Sequence, residues 1–160
     1  MTLIRRILDR SLEAYFCVML LVMIGVATWQ VISRYALRDP STYSEELLRF
    51  CLIWLSIGAL AYAAGKSRHV TFTLLLDTLD ARGRRTLLIT VQALFIAFAL
   101  LVMIFGGWRA VLIAAAQTSP TLGLSMGSVY AALPLSGVLC VIYCALNIAD
   151  LIRQPTETAA

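Results

Sequence analysis

Charge is scarce in this chain. Asp, Glu, Lys and Arg make up 14% of its 160 residues, and 61% are hydrophobic. A soluble domain carries about 25% charged residues. No soluble fold of this length could hide so much apolar surface, so lipid must solvate most of it. Histidine is scarcer still, with His69 alone. A membrane haem protein uses paired intramembrane histidines, and the sequence argues against that class. No HExxH, CxxC, Walker or GxSxG pattern is present. The chain therefore reads as a protein without a cofactor, and not as an enzyme.

Ionisable groups are also missing from the middle of the long apolar runs. No Asp, Glu or Lys stands there. Pumps and proton-coupled exporters generally keep such a group at mid-membrane. A stand-alone small exporter or channel is the alternative reading, and it would lack the polar lining it needs.

What is present is a set of long uncharged runs. Ala14 to Ser33 is a run of 20 residues, Phe50 to Gly65 of 16, Thr86 to Trp108 of 23, and Ala110 to Ala149 of 40. The last run is interrupted by a polar, Gly- and Pro-containing stretch from Gln117 to Ser128. A helix needs about 20 apolar residues to cross the hydrocarbon. The fold class is thus all-α integral membrane, with four spans at about 12–35, 46–65, 86–108 and 129–151. The third pattern continues to Ala116. Either that helix tilts and protrudes, or Gly106-Gly107 ends or kinks it. Residues 1–153 read as a single four-helix membrane domain, and 154–160 as a mobile polar tail.

The first run follows Arg5, Arg6 and Arg10, but its length exceeds a signal-peptide core and no small-residue cleavage site follows it. It reads as a retained span. The basic residues then set the orientation. Nine lie on the side of the termini and the middle loop, and four on the other. Both termini and residues 66–85 should be cytoplasmic, in a multi-pass protein of the bacterial inner membrane. The net charge of +4 follows from this asymmetry and calls for no nucleic-acid partner.

In the middle loop, Phe72, Leu75, Leu76 and Leu79 share one helical face. This predicts a short amphipathic helix at about 70–82. It would lie in the interface, with Arg82, Arg84 and Arg85 on anionic head groups of the bilayer. In the first loop, Pro40 stops the preceding helix. Ser44 is the expected N-cap of the second span, with Glu45 and Glu46 in its first turn. Cys17, Cys51, Cys140 and Cys144 all fall inside spans and read as packing residues. Gln92 and Asn147 are polar groups expected to bond neighbouring helices. Trp29, Tyr35, Tyr43, Trp108 and Tyr130 bracket one membrane boundary, as an interfacial belt does.

Glu45 and Glu46 precede Arg49 by four and three residues, so both carboxylates can reach it on one helix face. One reading is an end-of-helix ion pair. The other is a docking or inter-subunit contact.

Ser33-Arg34-Tyr35 closes the first span, and Ser44-Glu45-Glu46-Leu47-Leu48-Arg49 opens the second. Trp54 and Gly58-Ala59 follow, then His69-Val70, Ser119-Pro120-Thr121-Leu122, Tyr130 and Leu133-Pro134-Leu135. In this order and spacing the chain resembles the DctQ-type small membrane subunit of TRAP (tripartite ATP-independent periplasmic) transporters over about residues 10–150. It departs from the family where Tyr43 replaces a frequent Trp, and near Met126-Gly127, where a Trp is missing. The resemblance implies a division of labour. A soluble periplasmic binding protein captures an organic anion, and a large membrane subunit carries it inward with sodium. The small subunit scaffolds the large one and helps form the docking surface. On that reading Arg34, Tyr43, Glu45, Glu46 and Arg49 are the candidate inter-subunit or docking residues.

Overall fold

A computed structural model describes residues 2–39, 41–66 and 81–153. Pro40, His69 and the tail 154–160 lie outside the described residues. So does the expected amphipathic helix of 70–82, apart from its last two positions.

The described residues are helical almost throughout. α1 runs Thr2–Tyr35 and α2 runs Thr42–Lys66. α3 covers Ala81–Phe98 and passes directly into a π-helical stretch, π1, at Ala99–Gly106. α4 follows at Gly107–Ala114, then a short α5 at Met126–Tyr130, and α6 at Ala132–Arg153. Four stretches are long and apolar enough to cross a membrane: Arg5–Tyr35, Thr42–Lys66, Gly83–Ala114 and Met126–Ile152. The chain is an all-α integral membrane protein.

Three of these helices run past the apolar limits read from sequence. α1 has 34 residues, or about 50 Å at 1.5 Å per residue. Its first turns carry Arg5, Arg6, Asp9, Arg10 and Glu13 and extend the helix beyond its apolar segment. At the other end, Arg38 adopts φ 56. That left-handed residue costs about 1 kcal/mol, and it lets the Asp39 N–H donate to the Ser33 carbonyl at 3.1 Å. α2 starts one turn earlier than the apolar run suggests, at Thr42. Ser44 therefore lies inside the first turn and is not the N-cap. It is buried, and its hydroxyl meets that of Ser41 at 2.8 Å.

The third span continues unbroken to Ala114. Gly106 and Gly107 both keep right-handed helical dihedrals, at φ −65 and −61, so the pair neither ends nor kinks the helix. Gly107 instead permits close contact. A Cβ there would stand 3.0 Å from Leu133 Cβ and 3.1 Å from Pro134 Cδ, tighter than side chains tolerate without movement. The irregularity falls one step earlier, in π1. Such stretches are rare and usually a single turn.

The spans pack in the order α1, α2, α6, then the α3–π1–α4 rod. The core lies on the central seam and is built from Ala61, Ala99, Met103, Cys140 and Cys144, with Ile57, Ile96 and Leu139 against it. Small residues dominate because lipid tails offer helices no hydrophobic reason to associate. Close van der Waals approach supplies the attraction. Cys17, by contrast, is exposed on α1 and Cys51 partly so, and all four thiols are free.

Candidate functional site

The polar side chains gather at the two ends of the bundle. At the end away from the chain termini, the connection from Ala115 to Ser125 is an ordered turn. Thr118 and Ser125 form a β-bridge. The Ser119 N–H donates to the Leu124 carbonyl at 2.8 Å, and the Met126 N–H to the Gln117 carbonyl at 2.9 Å. Gly123 takes φ 64, a conformation open to glycine at no steric cost. Ser125 then caps α5, accepting from the Gly127 N–H at 3.3 Å.

This turn hangs on Glu46. The carboxylate accepts the N–H of Leu122 at 2.9 Å and of Thr121 at 3.2 Å. Ser119, which is buried, accepts a second contact from the Leu122 N–H at 3.2 Å. Glu46 is thus separated from the neighbours that its spacing suggests. Among the described residues Arg49 pairs with Glu45 alone, at 3.5 Å, and both side chains are about two-thirds exposed at 68% and 66%. The i, i+3 spacing allows a Glu46–Arg49 pair, but the turn offers two backbone donors that need an acceptor.

The other sequence-selected residues stay apart. Arg34 is exposed near the end of α1, and Tyr43 is exposed in the first turn of α2. Trp29, Tyr35, Trp108 and Tyr130 are exposed at this same end of the bundle, the distribution of an interfacial belt. Arg84 is exposed on α3. Arg85 donates to the Ile152 carbonyl at 3.1 Å, so it caps the last turn of α6. The Arg82 side chain lies outside the described residues.

A second polar cluster, at the end of the termini, was not foreseen from spacing. The Gly65 carbonyl, in the last turn of α2, accepts from the Asn147 amide at 3.0 Å and from the Arg5 guanidinium at 3.3 Å. Arg5 also pairs with Asp150 at 3.3 Å. Tyr143, fully buried, donates its hydroxyl to Asp9 at 2.7 Å. Glu13 accepts from Tyr62 at 2.5 Å and from Lys66 at 2.9 Å. The Tyr62 ring meets Phe16 and Tyr143 edge-on at 5.7 and 6.2 Å. Three helices are locked here through an orphan helix carbonyl and three carboxylates, Asp9, Glu13 and Asp150. Only the Asn147 contact had a signal in the sequence. Gln92 differs. It is buried, and its Oε1 has no hydrogen-bond partner among the described residues.

Among the described residues, no group of three His, Cys, Asp or Glu side chains could hold a metal ion.

Residues 23–154 match the family described as tripartite ATP-independent periplasmic transporters, DctQ component. The sialic acid TRAP transporter small permease protein SiaQ of Vibrio cholerae is 28% identical over 140 residues, covering 87% of this chain and 80% of that one. A TRAP transporter small permease protein of Haemophilus influenzae is 26% identical over 136 residues, covering 84% and 81%. The ectoine TRAP transporter small permease protein TeaB of Halomonas elongata is 30% identical over 110 residues, covering 66% and 55%. Four apolar spans, a match over most of the length and relatives of one kind converge: the chain belongs to the DctQ family, the small membrane subunits of TRAP transporters.

Proposed function

We propose that this chain scaffolds the large membrane subunit of a TRAP transporter and helps dock a periplasmic solute-binding protein, for sodium-coupled uptake of an organic anion. Both termini and the α2–α3 connection face the cytoplasm in this reading, following the distribution of basic residues. The turn held by Glu46 then faces the periplasm.

The observation that carries the reading is the Glu46 contact with Thr121 and Leu122. It fixes an ordered surface at the outer end of the bundle, where a soluble partner would approach. Pre-ordering such a surface removes an entropic cost from docking. The span interiors support the same division of labour. They carry no Asp, Glu or Lys at their centres, where a transport site is expected. The chain is a supporting subunit, and transport belongs to its partner.

The test is reconstitution. The chain should co-purify with a larger membrane protein encoded beside it. In liposomes the chain alone should take up no solute. The pair plus the soluble binding protein should do so in a sodium gradient. Uptake by this chain alone would overturn the scaffold reading.

A further inference from the structure

The outward face of α2 differs from every other outward face of the bundle. Glu45, Arg49, Leu52, Ser56, Leu60 and Ala63 are all exposed. At 100° per residue they fall within about 80° of one another, so they form one stripe along the span. The stripe is polar at two depths. Its outer end holds the Glu45–Arg49 pair at 3.5 Å, a single loose contact that leaves most of the five Arg donors free. Its middle holds Ser56, ten residues before Lys66, or about 15 Å from that end of the helix.

The Ser56 hydroxyl has no hydrogen-bond partner among the described residues. Two exposed threonines on the other spans behave differently. Thr28 on α1 donates back to the Ile24 carbonyl at 2.8 Å, and Thr90 on α3 donates to the Thr86 carbonyl at 2.9 Å. That is how a lipid-facing hydroxyl avoids remaining bare. The remaining outward faces are apolar at mid-depth. α1 presents Leu21 and Val22, π1 presents Leu101, Val102 and Phe105, and α6 presents Leu135, Val138 and Ile142.

We propose that the α2 stripe is the seat of a transmembrane helix of the large membrane subunit. That helix would carry a hydrogen-bonding group opposite Ser56 and an acceptor near Arg49. This inference rests on the proposed function and adds the face through which it is carried out. Polar groups in a span face protein or water, because hydrocarbon cannot solvate them. A second copy of the chain is the poorer occupant. A two-fold axis along the membrane normal puts identical residues at equal depth, bringing Arg49 towards Arg49.

The experiment uses the full chain expressed with the large and soluble subunits. A photo-crosslinking phenylalanine analogue replaces Leu52 or Leu60 on α2. The comparison faces carry it at Val22, Leu101 or Val138. Adducts with the large subunit are expected from the two α2 positions, severalfold above the other three. Ser56→Leu and Arg49→Ala should each lower the co-purified large subunit severalfold. Thr28→Val and Arg38→Gly should leave it unchanged. Equal or stronger adducts from the comparison faces overturn the proposal while the functional reading stands. So do α2 adducts with a second copy or with lipid alone, and so does unchanged recovery with Ser56→Leu and Arg49→Ala. If the unmodified chain brings down no large subunit, the functional reading fails and this inference with it.

Discussion

The Leu122 N–H donates to the Glu46 carboxylate at 2.9 Å, across 76 positions of sequence. One side chain near the start of α2 thereby orders the connection that leads into the last span. Glu46→Ala should leave Thr121 without its acceptor and Leu122 with only the longer contact to Ser119, and their amide exchange should rise severalfold. Glu46→Gln keeps a carbonyl acceptor and should fall between. Hydrogen exchange read by mass spectrometry on a peptide covering 117–126 checks this, and unchanged exchange in Glu46→Ala would remove the pin.

Gly65 lies directly against the Tyr143 ring, where any Cβ would overlap it. The ring is fully buried and its hydroxyl is held by Asp9, so it has little room to yield. Gly65→Ala should cost about 1–3 kcal/mol, the usual range for overpacking. Gly25 has nothing within 4 Å of its added Cβ, and Gly25→Ala should be neutral or slightly stabilising. Thermal unfolding in detergent compares the two. Equal melting temperatures would count against the close packing of α2 on α6.

Arg5 and Asn147 share one acceptor, the Gly65 carbonyl. Either variant alone, Arg5→Ala or Asn147→Leu, leaves the carbonyl one donor. Each lost hydrogen bond should cost about 1 kcal/mol. The double variant leaves the carbonyl bare, and its cost should exceed the sum of the singles. A double-variant cycle on detergent unfolding measures the coupling, and strict additivity would mean that the two donors act independently.

Orientation is tested with single cysteines in a background lacking the native four. Ser41→Cys, Thr78→Cys and Thr156→Cys sample the three regions. In intact spheroplasts a membrane-impermeant thiol reagent should label the first alone. Labelling at position 78 instead would reverse the topology proposed from the basic residues.

The span interiors were legible because the bilayer imposes a length that a linear count can find. The ends were less so. Counting charges places the end of an apolar run, but α1 keeps helical hydrogen bonding through its charged first turns. The third span likewise continues past Gly106-Gly107, and hydropathy cannot locate Gly107 as a contact with Pro134. Ser44 has the composition of a cap and sits inside the first turn of α2, because Thr42 already takes part in the helix.

By itself, then, the sequence determined the solvent, the number of spans and the family. Those follow from composition, run length and ordered short motifs along the chain. Tertiary structure decided which polar groups meet. Glu46 had a local partner available in Arg49 and a distant one in the Thr121–Leu122 turn. The turn holds it because backbone donors in an ordered loop need acceptors, whereas an exposed ion pair contributes little. Likewise, Gly65 and Ser56 are unremarkable letters in an apolar run. Only the arrangement of α1, α2 and α6 turns one into a shared acceptor for Arg5 and Asn147, and leaves the other on an open face at mid-membrane. Such pairings depend on helix rotation and side-chain direction, which local periodicity leaves free.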